Sequence, residues 1–210
     1  WEDYRMTHDI LMHHIDSTFT KCLDVGPGPG TWTKFLIKQN PQASFLLCDV
    51  SDEMIKEARI NLGERDTITF KVGDFMQQRL DTDFDLFISI RAVEYMPDKK
   101  KVAEKIAQCL KDGGMGLIMT KNPLSLGRRI SSCIRPPKTA HTAQIRPEEF
   151  KKILADAGLK EITIYPGVVF FPPVKHIFSI SRYLWRKLYK KPLGWLGKHL
   201  CESYIITFSR

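Results

Sequence analysis

No stretch of about 18 uncharged apolar residues occurs in this chain, so a membrane-spanning helix is not expected. The opening residues WEDYRMTHDILMHHID have neither the charged start nor the apolar middle of a secretory signal, and the expectation is a soluble, cytoplasmic protein. Cysteine is sparse and odd in number. Cys22, Cys48, Cys109, Cys133 and Cys201 include no C-x-x-C pair, which argues against a zinc site and dithiol chemistry. They read as buried small hydrophobes in a reducing compartment, with a catalytic thiol as the minor alternative, and no metal is expected. Internal repeats and low-complexity tracts are also absent, which removes solenoid and fibrous architectures.

Acidic residues run short in one part only. Residues 121–210 hold five Asp/Glu against 17 Lys/Arg, whereas residues 1–120 hold 19 against 15, giving net charges of +12 and −4. Such asymmetry points to an anionic partner on the C-terminal side, or to no more than a solvated basic surface.

The remainder suits one globular domain, since 210 residues with 43% hydrophobic content bury a full core. From Asp3 to Phe19, the spacing of Ile10, Leu11, Ile15 and Phe19 predicts an amphipathic helix. Lys21 to Val25 then forms a short apolar run that stops at Gly26-Pro27-Gly28-Pro29-Gly30, and Thr31 to Lys38 is helical in pattern. Strand, glycine loop and helix are followed by a second unit, Ser44 to Cys48 ending at Asp49, with a helix opened by Ser51 and running to Leu62. Further strands are expected at Ile68–Val72, closed by Gly73-Asp74, at Phe84–Ile90, and at Gly116–Thr120 after a turn at Gly113-Gly114. A helix from Asp98 to Leu110 connects the last two. Alternation at this spacing calls for a doubly wound, mostly parallel α/β sheet.

Beyond Lys121 the rhythm gives way to a polar, proline-bearing stretch that ends at Arg146, too long for an ordinary connection. A helix is expected from Pro147 to Ala157, and strands at Glu161–Tyr165 and Ser203–Phe208, parted by an insertion of about 33 residues.

The glycine loop lets a ligand approach the backbone, and the helix that follows offers free N–H groups to it. Its spacing is G-x-G-x-G, with Thr31 where a dinucleotide loop needs its last glycine, which argues against a pyrophosphate cofactor. At the end of the second strand, Asp49 is placed to accept hydrogen bonds from both hydroxyls of a ribose. Asp74, at the end of the third, is placed to take one from an adenine amine. Three consecutive strand ends thus face one crevice, where an open α/β sheet binds its ligand.

In these residues the chain resembles the class I S-adenosylmethionine-dependent methyltransferases. Leu23-Asp24-Val25-Gly26-Pro27-Gly28-Pro29-Gly30 looks like their first motif, and Asp49, Gly73-Asp74 and Leu110-Lys111-Asp112-Gly113-Gly114 look like later ones, over residues 20–121. The resemblance implies S-adenosylmethionine as cofactor and S-adenosylhomocysteine as product. It implies that Gly26 and Gly28 flank the methionine portion, that Asp49 binds ribose, and that Asp74 and the Phe75 backbone contact adenine. Asp24, Pro27, Val50 and Arg91 complete the expected cofactor contacts. It also implies a seven-stranded sheet whose last strand, Ser203–Phe208, is antiparallel. The expected organisation is a single methyltransferase domain: an N-terminal helix over 1–19, a cofactor-binding core over 20–121, a substrate loop over 122–146 and a basic amphipathic insertion over 168–200.

A methyl group on a sulfonium is already reactive, so the protein has to align a nucleophile and exclude water. A hydroxyl or carbon acceptor needs a general base in addition, and His141 in the irregular loop is the candidate, although a lone loop histidine is also an ordinary surface residue. After the fourth strand stands Ser89-Ile90-Arg91-Ala92 instead of the Asn/Asp-Pro-Pro-aromatic motif of base-amine methyltransferases, which disfavours nucleic acid as acceptor.

The insertion 168–200 holds seven Lys/Arg, seven aromatics and no acid. From Lys175 to Lys191 a helical wheel gathers Ile177, Ile180, Leu184, Trp185 and Leu188 on one arc, with Lys175, Arg182, Arg186 and Lys190 opposite. That pattern fits an anionic membrane interface and equally a cover packed over the site. The path through Lys121-Asn122-Pro123, His141 and Ile145-Arg146-Pro147-Glu148-Glu149 is similar to methyltransferases of the ubiquinone pathway, which favours a small, hydrophobic or lipid-like acceptor. An RNA methyltransferase using the basic C-terminal part is the runner-up, and a cofactor-binding protein that transfers nothing is the third reading.

Overall fold

The computed structural model describes residues 2–126, 143–168 and 190–210. Helix α1 (Glu2–His14) leads into β1 (Lys21–Val25), α2 (Thr31–Gln39), β2 (Ser44–Asp49), α3 (Asp52–Leu62) and β3 (Ile68–Val72). There follow β4 (Phe84–Ile90), a 3-10 turn (Val93–Tyr95), α4 (Lys99–Cys109), β5 (Leu110–Lys121), α5 (Pro147–Asp156), β6 (Lys160–Pro166), α6 (Trp195–Leu200) and β7 (Ser203–Ser209). The strands lie in the order β3-β2-β1-β4-β5-β7-β6. β1 to β5 pair in parallel, and β7 is antiparallel to both of its neighbours. The doubly wound, seven-stranded α/β sheet and its antiparallel last strand are therefore as expected.

Side-chain alternation along the strands divides the core into two layers. Cys22, Leu47, Leu86, Ile88, Leu117 and Met119 pack on one face against Ile10 and Leu11 of α1, Phe35 and Leu36 of α2 and Ala58 of α3. On the other, Leu23, Val25, Leu46, Phe87 and Ile118 meet Val102 and Ile106 of α4 and Phe150 and Leu154 of α5. Both faces of the central strands are buried, which explains their near-continuous apolar runs. Ser51 caps α3 by accepting from the Met54 N–H at 3.2 Å, and Asp98 caps α4 by accepting from Lys101 at 3.1 Å.

Two boundaries differ from the sequence reading. Helix α1 stops at His14, four residues before Thr18. There the Asp16 carboxylate accepts from the Thr18 N–H at 3.2 Å, and the Asn40 amide donates to the carbonyls of Ser17, at 3.1 Å, and Phe19, turning the chain into β1. Phe19 is still buried, but from the turn. β5 begins at Leu110, because Gly113, at φ +76°, and Gly114 are drawn into the sheet by the C-terminal residue: Arg210 donates to the Gly114 carbonyl at 2.9 Å and accepts from Gly113 at 3.3 Å. The expected turn is a kink within a strand. Helix α6 is a six-residue element inside the insertion that periodicity did not resolve.

Among the described residues no helix is long and apolar enough to cross a membrane. Cys22, Cys48, Cys109 and Cys201 are buried free thiols, and burial raises the last three to about 11, away from the reactive thiolate. His141, Cys133 and the segment 175–189 lie outside the described residues.

Candidate functional site

The sheet order reverses between β1 and β4, and a cleft opens there at the carboxyl ends of the strands. Its volume is about 570 Å³. β1 delivers the glycine loop to this point, with Gly26, Gly28 and Gly30 at φ of +71°, +54° and +77°, conformations that L side chains avoid. The Gly30 N–H donates to the Pro27 carbonyl at 3.1 Å and closes the turn before α2. A Cβ on Gly28 would meet nothing within 4 Å, so this backbone faces open space.

β2 ends in Asp49, whose carboxylate reaches both ways. One oxygen accepts from the Gly28 N–H at 3.2 Å, and the other accepts from the Ser51 N–H at 3.0 Å. The acid therefore ties the glycine loop to the start of α3 and stays half-exposed in the cleft. Beside it Val50 is 70% exposed, an apolar side chain left largely uncovered. β3 supplies Asp74, which accepts from the Met76 N–H at 2.9 Å and so shapes the turn that carries Phe75.

The fourth wall follows β4. Arg91 adopts φ +67°, and its N–H donates to the Met119 carbonyl at 2.8 Å. Its guanidinium, 41% exposed, meets Glu94 through Nε at 3.3 Å. Glu94 is 1% exposed and also approaches the Lys121 ammonium at 3.4 Å, the Lys121 N–H at 3.1 Å and the Thr120 hydroxyl at 3.4 Å. Lys99 is buried under the same segment, donating to the carbonyls of Val93, at 3.0 Å, and Met96. Burial lowers its ammonium to about 8, with Glu94 acting in the opposite direction.

Of the residues singled out in the sequence, Gly26, Gly28, Asp49, Val50, Asp74, Phe75 and Arg91 line this cleft together. Pro27 serves the turn. Asp24 does not line the cleft: strand alternation turns it to the face of Cys22, where it is 2% exposed and accepts from the Thr33 hydroxyl of α2 at 2.6 Å. Burial lifts its carboxyl to about 7, with the Asp49 charge adding to the rise and Thr33 opposing it. Sequence reasoning did not single out Lys99, which stands in a run of three lysines with no local mark to distinguish it. For Glu94 a signal existed in the i, i+3 spacing from Arg91.

Residues 22–114 match a family described as methyltransferase domain. Over 136 residues the chain is 26% identical to malonyl-[acyl-carrier protein] O-methyltransferase 2 of Ilyobacter polytropus, covering 64% of this chain and 52% of the relative. Over 180 residues it is 25% identical to ubiquinone biosynthesis O-methyltransferase of Idiomarina loihiensis, covering 78% and 71%. The matched part thus spans about half the length of the first relative. Among solved structures, the methyltransferase from the complex with the Haloferax volcanii Trm112 activator superposes with a TM-score of 0.72 at 19% identity, over 99% of this chain and 90% of that one. That likeness is one of fold.

Proposed function

We propose, from the premise that the chain belongs to the class I S-adenosylmethionine-dependent methyltransferases, that its cleft holds S-adenosylmethionine and directs methyl transfer to a small acceptor. The observation that carries this reading is the shared wall of Gly28 and Asp49: a glycine backbone open to the cleft, joined at 3.2 Å to a strand-end carboxylate that remains available to a ligand.

The residues present fit such a cofactor. Asp49 accepts from the ribose hydroxyls, the exposed Val50 covers the adenine, and Asp74 with the Phe75 backbone reads its amine edge. Gly26 and Gly28 give room to the methionine portion, while the backbone at Arg91 and Ala92 closes the opposite wall. When bound, the cofactor supplies an electrophilic methyl group on a sulfonium. What the chain contributes is orientation and exclusion of water, and the apolar side chains of Ile90, Met76 and Met96 around the cleft serve the second. Asp24 acts from below the loop, holding α2 through Thr33.

The acceptor we assign is small and hydrophobic or lipid-like, supported by the ubiquinone-pathway relative and by the basic, aromatic stretch 175–191, which we read as a peripheral contact with an anionic membrane. His141 is the candidate general base on the loop beyond β5. Calorimetric titration with S-adenosylmethionine and S-adenosylhomocysteine, with NAD as control, tests the reading. Micromolar binding of the first two and none of NAD is expected; no binding of either removes it.

A further inference from the structure

We propose that the acceptor carries a carboxylate, that the guanidinium of Arg91 receives it, and that Glu94 is the positioning residue that presents Arg91 to the cleft. The inference rests on the cofactor reading above and names the acceptor class for the same cleft.

Charge in the cleft wall is the first ground. Asp49 and Asp74 stand on the β2 and β3 side, each engaged with backbone N–H groups, and Arg91 is the one cation among the described lining residues. Behind it Arg91, Lys99 and Lys121 lie around Glu94.

Geometry is the second ground. Glu94 meets Arg91 at Nε only, and Nη1 and Nη2 have no partner among the described residues. A guanidinium held at Nε presents its terminal pair as a planar fork, the arrangement that binds a carboxylate through two parallel hydrogen bonds. Backbone strain is the third. A non-glycine residue at φ +67° is strained and has to be held there by its surroundings. Here the Met119 carbonyl holds the Arg91 N–H while Glu94 holds the side chain. Glu94 itself is fixed to β5 by the Lys121 N–H and Thr120, so the fork is anchored to the sheet and not to a loop. Burying such a network carries a desolvation cost that an apolar contact would avoid, which is consistent with a functional reason for keeping it.

Ile90, Tyr95 and Met96 flank Arg91 in the wall and supply apolar cover for the rest of the acceptor. A hydrophobic or aromatic body with an acid head is the complement of this surface. The side chain of Arg91 then serves the acceptor, and its backbone serves the cofactor wall.

The test compares acid and amide pairs on the protein saturated with S-adenosylhomocysteine: octanoate with octanamide, benzoate with benzamide, and succinate with succinamide. For at least one pair the acid is expected to bind about tenfold tighter than its neutral isostere, as a charge-assisted bond requires. Arg91→Met brings the pair within about twofold while the S-adenosylhomocysteine dissociation constant stays within about twofold. Glu94→Gln weakens the acid about threefold to tenfold with the same unchanged cofactor affinity, and Glu94→Asp restores most of it. Equal affinity within all three pairs overturns the inference and leaves the cofactor reading intact. So does a tenfold loss of S-adenosylhomocysteine affinity in Arg91→Met, which would give the side chain to the cofactor. Failure of the unaltered protein to bind S-adenosylhomocysteine removes both readings.

Discussion

A Cβ built on Gly26 would stand 2.1 Å from the Cβ of Ala92, so the glycine loop and the segment after β4 touch where no side chain fits. The contact joins two walls of the cleft that are 66 residues apart in the chain, and it explains why the first loop glycine is needed for packing as well as for its φ of +71°. Gly26→Ala is expected to cost about 2–4 kcal/mol, combining left-handed strain with overpacking. Gly28→Ala meets no neighbour and should cost only about 1–2 kcal/mol of strain. In binding the order reverses, since the Gly28 methyl would enter the space assigned to the cofactor. Urea denaturation and calorimetry of both variants check the pair; a Gly28→Ala protein with native cofactor affinity would remove the methionine portion from this loop.

Asp49→Ala is expected to raise the dissociation constant of S-adenosylhomocysteine about 100-fold. Two hydrogen bonds from ribose hydroxyls to an ionised acceptor are lost, each worth about 1.5–3 kcal/mol less the cost of desolvation. The substitution also frees the N–H groups of Gly28 and Ser51. Both residues are half-buried at the cleft, and the loss of folding stability should be about 1–2 kcal/mol. Affinity that survives the change would displace the ribose from β2.

The stretch 175–191 makes a prediction that needs no knowledge of its conformation. Reversing the charges of Arg182, Arg186 and Lys190 to glutamate removes attraction worth about 1 kcal/mol per basic residue near an anionic surface, or a loss of about 100-fold or more in all. Co-sedimentation with vesicles of mixed phosphatidylglycerol and phosphatidylcholine reads this directly. Equal partition of both proteins would leave the basic face to solvent.

How far the sequence carried the fold can be seen strand by strand. β1, β3 and β4 begin and end where their apolar runs do, because each is bounded by residues that change the local rule, such as Gly26 after Val25 and Gly73 after Val72. Helix α1 was overextended because Phe19 keeps the helical period while being buried from a turn that the Asn40 side chain, 21 residues on, holds in place. β5 was cut short because Gly113 and Gly114 signal a turn locally, whereas the partner that straightens them, Arg210, is the last residue of the chain. In the site, strand ends were legible for Asp49 and Asp74 because their position alone places them at the cleft. Asp24 shows the limit of that rule: it pairs with Leu47, two residues short of Asp49, so it stands inside the strand and its carboxylate bonds Thr33 of α2.

The buried state of Asp24 has a pH signature whose sign is fixed by its raised carboxyl. Its folded value is about 7 against an ordinary 3.8, so the fold favours the protonated form. Stability from this group is fully present below the ordinary value, falls as the unfolded chain ionises first, and levels off once the pH has passed the folded value. Between pH 5.5 and 8 the group should cost the native protein about 2 kcal/mol, at 1.36 kcal/mol per unit of difference. Asp24→Asn cannot ionise and retains a hydrogen-bond partner for Thr33. Its stability relative to the unaltered protein should therefore rise by that amount over the same interval, as read from urea denaturation at the two pH values. A difference that stays constant with pH would mean that Asp24 is already ionised in the fold, stabilised through Thr33 more strongly than its burial opposes.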